Sequence, residues 1–227
     1  LTNINVFLPM RKGSERVANK NTKDFAGISG GLTYIKLGQL LEVEEISSII
    51  VSTDDERVKE IASAFQSNRI KIIDRPAALA SSSTSTDDLI RYVPSVIEEG
   101  NVLWTHVTSP FIDSRIYRKA ILTFLSNLNI CDSLMSVTQI QKFIWDENGP
   151  ITYDSSVEKW PRTQTLKPIF EVNSGIFLAN IKAYTLTNNR IGSAPTLFAT
   201  DGLAALDIDW NEDFELAEAL WIRRHGT

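Results

Sequence analysis

One cysteine, Cys131, stands in the whole chain, which excludes an internal disulfide and any cysteine-based zinc cluster and points to a reducing compartment, the cytoplasm. Histidine is nearly as scarce, with only His106 and His225. Long apolar runs are missing, so neither a membrane span nor a secretory signal is expected and the protein should be soluble. The first residue is Leu rather than Met, so a trimmed residue or two is expected ahead of it. Surplus positive charge is missing as well: 23 Lys and Arg face 28 Asp and Glu, a net charge of −5, which leaves no footprint for nucleic acid or a membrane surface outside one loop. The familiar phosphate motifs are absent. No Gly-x-x-x-x-Gly-Lys-Ser/Thr occurs, and "GISGG" at 27–31 has neither the lysine of that loop nor the dinucleotide Gly-x-Gly-x-x-Gly spacing.

What is present is 227 residues, enough for a single α/β domain over 1–227 with a modest appendage. Val- and Ile-rich runs near 4–9, 46–52, 69–73, 101–107, 133–138, 174–180 and 204–208 read as strands. Between them 33–42, 55–65, 86–98 and 114–126 carry apolar residues three and four apart, as amphipathic helices do. A last helix is predicted over 211–223 with Asn211 as its N-cap. Alternation of this kind predicts a mainly parallel sheet covered by helices. The stretch 139–172 breaks it with Gly149-Pro150, Pro161 and Pro168 and reads as an inserted hairpin extension for dimerisation or lid closure.

The chemistry starts after the first strand, where "RKGSERVANKN" at 11–21 interleaves cations with small, turn-permitting residues. In a doubly wound sheet this loop lies at the carboxyl edge, where ligands bind. Gly13 and Ser14 let the backbone turn its N–H groups inward, and Arg11 and Lys20 can neutralise phosphate oxygens from two sides, so a polyphosphate is the natural ligand. A solvated basic turn is the plain alternative. Near the C-terminus Asp207-Ile208-Asp209 would put two carboxylates on one face of a strand, a donor pair suited to Mg²⁺, or else form an acidic cluster at a helix N-terminus with Asn211. Asp54 and Asp55 read as helix-capping acids rather than metal ligands, and the hydroxyls of "ASSSTST" at 80–86 as nucleotide contacts or caps.

The loop resembles the Arg-x-Gly-Ser-x-Arg-x-x-x-Lys-Asn signature of the sugar cytidylyltransferases, and more closely the CMP-sialic acid synthetases than the CMP-Kdo synthetases. "IIVSTDDERVKEIA" at 49–62, "RPAALASSSTSTDDLI" at 75–90, "THVTSPF" at 105–111, "RTQTLKPIFEVNSGIF" at 162–177 and "ALDIDWNEDFELAE" at 205–218 follow in that family's order and cover nearly the whole chain. The resemblance implies a three-layer α/β/α Rossmann-like nucleotidyltransferase fold, a small dimerisation extension giving a homodimer, and Mg²⁺-dependent attack of a nonulosonic acid's anomeric hydroxyl on the α-phosphate of CTP, releasing pyrophosphate. It implies that Arg11, Gly13, Ser14, Arg16, Lys20 and Asn21 hold the triphosphate or cytidine, that Arg75, Thr86 and His106 contact the nucleotide, and that Asp207 and Asp209 bind the metal, with Arg11, Lys20 and Asp209 catalytic. For the sugar, Lys142, Arg162, Gln164 and Asn173 are the polar groups on offer, Arg162 as a two-pronged carboxylate contact. Phe170 and Phe177 could line an apolar wall or be core. Three positions depart from the family pattern: His106 stands where glutamine is common, Ser174 where the Asn-Gly glycine is usual, and "GISGGL" where Gly-Lys-Pro commonly follows the first loop. Two rivals remain on the sequence alone, a nucleotidyltransferase or glycosyltransferase using another nucleotide, and a non-catalytic nucleotide sensor.

Overall fold

Side chains alternate along the first strand, β1 (Ile4–Met10), and the alternation divides the core in two: Ile4, Val6, Leu8 and Met10 face one side and Phe7 the other. The computed structural model describes residues 3–226. After β1 the basic loop leads to α1 (Gly31–Leu41), and then β2 (Ile46–Thr53), α2 (Glu56–Ala64), β3 (Ile70–Asp74), α3 (Thr86–Tyr92), β4 (Asn101–Trp104), α4 (Ser114–Ser126) and β5 (Ser133–Ile140) follow. A small hairpin, β6 (Trp145–Asp146) and β7 (Gly149–Pro150), precedes the long β8 (Ile169–Asn180), then α5 (Ile181–Thr187), β9 (Pro195–Ala199) and α6 (Asn211–His225). The main sheet runs β3-β2-β1-β4-β8-β5-β9, with β8 antiparallel to both neighbours and the other strands parallel to one another. Apolar stripes of α1, α2, α4 and α6 cover one face, and α3 and α5 the other, completing three layers.

The sequence reading placed a strand at 204–208, and that is corrected here. Gly202–Ala205 form a 3-10 turn, and the segment beyond it joins no sheet: among the described residues its one backbone–backbone bond to a distant segment runs from the Ile208 N–H to the Thr108 carbonyl, at 2.9 Å. The last sheet strand is instead β9, whose five residues, Pro195 among them, fall outside the Val- and Ile-rich pattern. Asn211 is not the N-cap of the last helix: Trp210 holds that position, and the Asp213 carboxylate reaches back to accept from the Asp209 and Trp210 N–H groups at 3.0 and 2.8 Å. The helix read over 86–98 ends at Tyr92, because Pro94 cannot donate to a further helical turn, and a short 3-10 turn over Val93–Ser95 follows. β8 starts five residues before the strand read at 174, so 137–140 and 169–172 pair as the base of the extension.

Two devices fix the basic loop against the last helix. Phe25 packs edge-on against Phe214 and Trp221 of α6, with centroids 5.3 and 5.8 Å apart, and burial of one such ring contributes about 1.5–3 kcal/mol. Its neighbour Ala26 donates its N–H to the Glu218 carboxylate at 2.7 Å. Gly31 completes the turn into α1: its φ is +51°, and a Cβ there would sit 1.9 Å from the Lys23 carbonyl oxygen.

Candidate active site

The loop over 11–21 is shaped by its own backbone before any ligand arrives. Gly13 adopts φ +74°, Arg11 donates to the Gly13 carbonyl at 3.1 Å, and Asn21 donates to the Arg11 carbonyl at 3.3 Å. Asp54, at the end of β2, accepts the Lys12 N–H at 2.8 Å, while Asp55 caps α2 by accepting from Arg57 N–H. Asp55 therefore caps as the sequence suggested, and Asp54 anchors the loop.

At the carboxyl edge of β1 and β4 the loop closes over a cleft of about 460 Å³. Arg11, Ser14, Arg16, Lys20, Asn21, Arg75 and His106 line it together, so seven residues singled out from the sequence as nucleotide contacts meet in one place. Gly13 and Thr86 are not among the lining residues; Gly13 turns the loop, and Thr86 is the exposed first residue of α3, which Ser85 caps in a reciprocal pair with Asp88. Ser82, Leu89 and Thr108 line the cleft as well. The sequence reading took the hydroxyl-rich 80–86 run as a group and noted Thr108-Ser109 only as neighbours of His106.

Charge on the cleft lining is mostly positive, with Arg11, Arg16, Lys20 and Arg75 against Glu15. Arg75 is buried, burial and then the nearby Arg11 guanidinium act against its charge, and its Nε has no hydrogen-bond partner among the described residues. His106 accepts a hydrogen bond from Trp104 Nε1 on its own Nε2 at 3.0 Å. Burial first, then the positive charges of Arg190, Lys20, Arg75 and Lys36, push its pKa down to about 4, so the ring is neutral at physiological pH and keeps an Nδ1–H donor.

Asp207 and Asp209 are not among the lining residues and sit beside the cleft's cations Lys20 and Arg16. Lys20 donates to the Ile208 carbonyl at 2.7 Å; burial lowers its pKa, and the charges of Asp209 and Asp207 oppose that shift. Asp207 is half-buried, accepts from Ser109 Oγ at 3.4 Å, and is pushed above the usual carboxylate range by burial and by Asp209. Arg16 bridges to Asp209 at 2.7 Å while its guanidinium lies 5.1 Å from the Trp210 ring centre. The alternation read from the sequence survives without a strand: Ile208 is fully buried and its two flanking carboxylates are half-exposed. Two hard oxygen donors that carry mutually unfavourable charge fit a cation of the Mg²⁺ type, which takes one or two carboxylates and completes its shell with phosphate and water.

The four residues offered for sugar recognition are not brought to this cleft. Lys142, Arg162 and Gln164 lie exposed on the extension, and no residue of 139–172 lines the cleft. Asn173 uses both ends of its amide within the chain: it donates to Thr138 Oγ1 and Thr200 Oγ1 at 3.2 and 2.7 Å and accepts from Ser136 Oγ at 2.6 Å. These bonds hold an irregularity in β8 where Ser174 takes φ +57°, the left-handed value that glycine adopts without strain. Phe177 is core, and Phe170 is exposed.

A doubly wound sheet with a cationic cleft at its carboxyl edge and a carboxylate pair on the rim is the arrangement of a nucleotidyltransferase, in which catalysis is mainly positioning and charge stabilisation on phosphate oxygens. The chain belongs to the Cytidylyltransferase family, whose model matches residues 6–224. It is 22% identical over 230 residues to a pseudaminic acid cytidylyltransferase of Campylobacter jejuni, covering 97% of each chain. It is 26% identical over 223 residues to a CMP-N,N'-diacetyllegionaminic acid synthase of Legionella pneumophila, covering 94% of each. Among solved structures, a CMP:2-keto-3-deoxy-manno-octonic acid synthetase complexed with CTP superposes with a TM-score of 0.65 at 17% identity, over 98% of this chain and 99% of that one.

Proposed function

We propose that the protein activates a nonulosonic, sialic-type acid with CTP, the anomeric hydroxyl attacking the α-phosphorus to give a CMP-sugar and pyrophosphate. The observation that carries this reading is the convergence of Arg11, Arg16, Lys20, Arg75 and His106 on one cleft beside Asp207 and Asp209. The relatives named for pseudaminic and legionaminic acids support the acceptor class. In this reading Arg11, Ser14, Arg16, Lys20 and Asn21 hold the triphosphate, Gly13 shapes the loop, and Arg75 and His106 present donors to the nucleoside, with Thr86 behind them at the head of α3. Asp207 and Asp209 would hold Mg²⁺, which neutralises charge on the phosphates when bound. Arg16 is free to turn to phosphate because an ion pair as exposed as Arg16–Asp209 is worth only about 0–1 kcal/mol. A pyrophosphate-release assay across the four nucleoside triphosphates and a panel of ulosonic acids tests the proposal. Release is expected only with CTP, Mg²⁺ and a nine-carbon 2-keto acid. Turnover with another nucleotide in place of CTP would reject the cytidylyltransferase chemistry, and silence with every acid would favour a nucleotide sensor.

The same reading makes the protein a cytoplasmic homodimer joined through the extension. No helix among the described residues is long and apolar enough to cross a membrane. On the extension Phe143, Trp145, Tyr153 and Trp160 form an aromatic cluster with ring centroids 5.4–6.4 Å apart, yet Trp145 and Trp160 remain 55% and 69% exposed. An apolar surface of this kind on a thin projection calls for a cover. Light scattering at micromolar concentration is expected to give twice the chain mass, and Trp160→Glu to shift it toward the monomer. A monomer at full activity would remove the dimer reading.

A further inference from the structure

Behind the cleft, on the face covered by α3 and α5, two polar groups lack partners. The Arg190 guanidinium lies 3.6 Å from the Phe177 ring centre and 5.3 Å from that of Trp104, and among the described residues it makes neither an ion pair nor a hydrogen bond. Tyr184 on α5 is 1% exposed, and its hydroxyl has no hydrogen-bond partner among the described residues. Burial raises the Tyr184 pKa and the Arg190 charge opposes that rise, while Tyr184 is the ionisable group that opposes the effect of burial on Arg190. Burial lowers the Arg190 pKa without a carboxylate to offset it. A half-buried cation and a fully buried hydroxyl, neither with an acceptor among the described residues, form an incomplete arrangement that an incoming anion would complete.

The geometry ties this pair to the cleft. Trp104, over which Arg190 lies, donates its indole N–H to His106, and His106 lines the cleft. The loop that carries Arg190 is fixed rather than loose: Gly192 N–H donates to Ser133 Oγ at 2.9 Å, and the Asp132 carboxylate accepts from the Ser193 and Ala194 N–H groups at 2.8 and 3.0 Å. Aromatic faces hold a guanidinium flat and leave its edge to a carboxylate in two-pronged fashion. We propose that Arg190, backed by Phe177 and Trp104 and assisted by the Tyr184 hydroxyl, receives the carboxylate of the acceptor acid and so selects 2-keto acids over neutral sugars. This rests on the acceptor class of the proposed function and assigns the carboxylate to Arg190 in place of the exposed Arg162 that the sequence suggested.

The test compares N-acetylneuraminic and pseudaminic acids with their methyl esters in wild type, Arg190→Met, Arg190→Lys, Tyr184→Phe and Arg162→Met. A charge-assisted bond of this kind implies that wild type prefers the acid over its ester by roughly 10- to 100-fold in kcat/KM. Arg190→Met should erase that preference by raising the KM for the acid, with the KM for CTP unchanged, and Arg190→Lys should recover part of it. Tyr184→Phe removes one oxygen from a buried ring and should weaken the preference severalfold with the melting temperature held. A rise in the CTP KM for Arg190→Met would assign the arginine to nucleotide phosphate and overturn the proposal. So would an intact preference in both Arg190→Met and Tyr184→Phe, or its loss in Arg162→Met alone. Wild type inactive on these two acids and on every other ulosonic acid of the panel, with CTP still bound, would instead overturn the acceptor class on which the proposal depends.

Discussion

Lys20→Met is expected to lower kcat/KM for CTP by roughly 100- to 1000-fold, the scale on which one preorganised charged donor acts at a phosphate-transfer centre. The residue has two jobs in the structure. Its ammonium donates to the Ile208 carbonyl at 2.7 Å, tying the first loop to the segment that bears both aspartates. It is also the cation most closely framed by that acidic pair, with burial lowering its pKa and Asp209 and Asp207 opposing the drop. A neutral methionine of similar length keeps the packing, leaves the carbonyl without its donor, and leaves two carboxylates facing the substrate's phosphates without compensation. Both kcat and KM should therefore worsen. Lys20→Arg should rescue little, because a planar guanidinium cannot reproduce a point contact on one carbonyl while reaching phosphate. Steady-state titration of CTP, with circular dichroism to confirm folding, reads both effects. A folded Lys20→Met within threefold of wild type would remove Lys20 from the chemistry.

How much of this could be read beforehand depended on whether the signal was local. The strand-helix alternation, the basic loop and the Asp207-Ile208-Asp209 alternation are short-range patterns, and β1 through β5 came out within a few residues of their places. The carboxylate spacing held even though its strand did not exist, because an extended segment alternates its side chains whether or not it pairs in a sheet. What escaped was set by partners distant in sequence. Lys36 draws no notice inside the helix read over 33–42, yet it is fully buried, donates to the Ser109 and Ile112 carbonyls at 2.9 and 3.0 Å, and has its pKa lowered to about 7 by burial. It thereby fixes the loop whose Ser109 hydroxyl donates to Asp207. Asn173 reads as a sugar contact, but its amide is taken up by Ser136, Thr138 and Thr200, which come from strands β5 and the end of β9. Arg190 sits in a run, "NNRIGS", that gives no hint of the two aromatic faces beneath it.

For Asp209→Asn the expected result is a split: kcat falls by roughly 100-fold or more while CTP binding holds or tightens. Asp209 is bridged to Arg16 and half-exposed, so the substitution removes an ion pair worth about 0–1 kcal/mol and should leave folding nearly unchanged. It also removes one negative charge beside the triphosphate and releases Arg16 from its present partner. Both changes favour a bound polyanion in the ground state. Asp207 should ionise more readily as well, since the Asp209 charge adds to burial in raising its pKa. What the substitution takes away is a hard anionic oxygen at the rim, and with it half of the donor pair suited to Mg²⁺, whose contribution is felt mainly as charge redistributes on the reacting phosphate. Arg16→Ala is the control, because it breaks the same ion pair from the other side. It should weaken CTP binding by about 10-fold, the loss of one charge-assisted contact, with a much smaller effect on kcat. Titrations of Mg²⁺ and CTP on both variants separate the two outcomes. If Asp209→Asn and Arg16→Ala lose the same fraction of kcat, the Arg16–Asp209 contact itself is what matters, and if Asp209→Asn keeps its kcat, the aspartates serve only the start of α6.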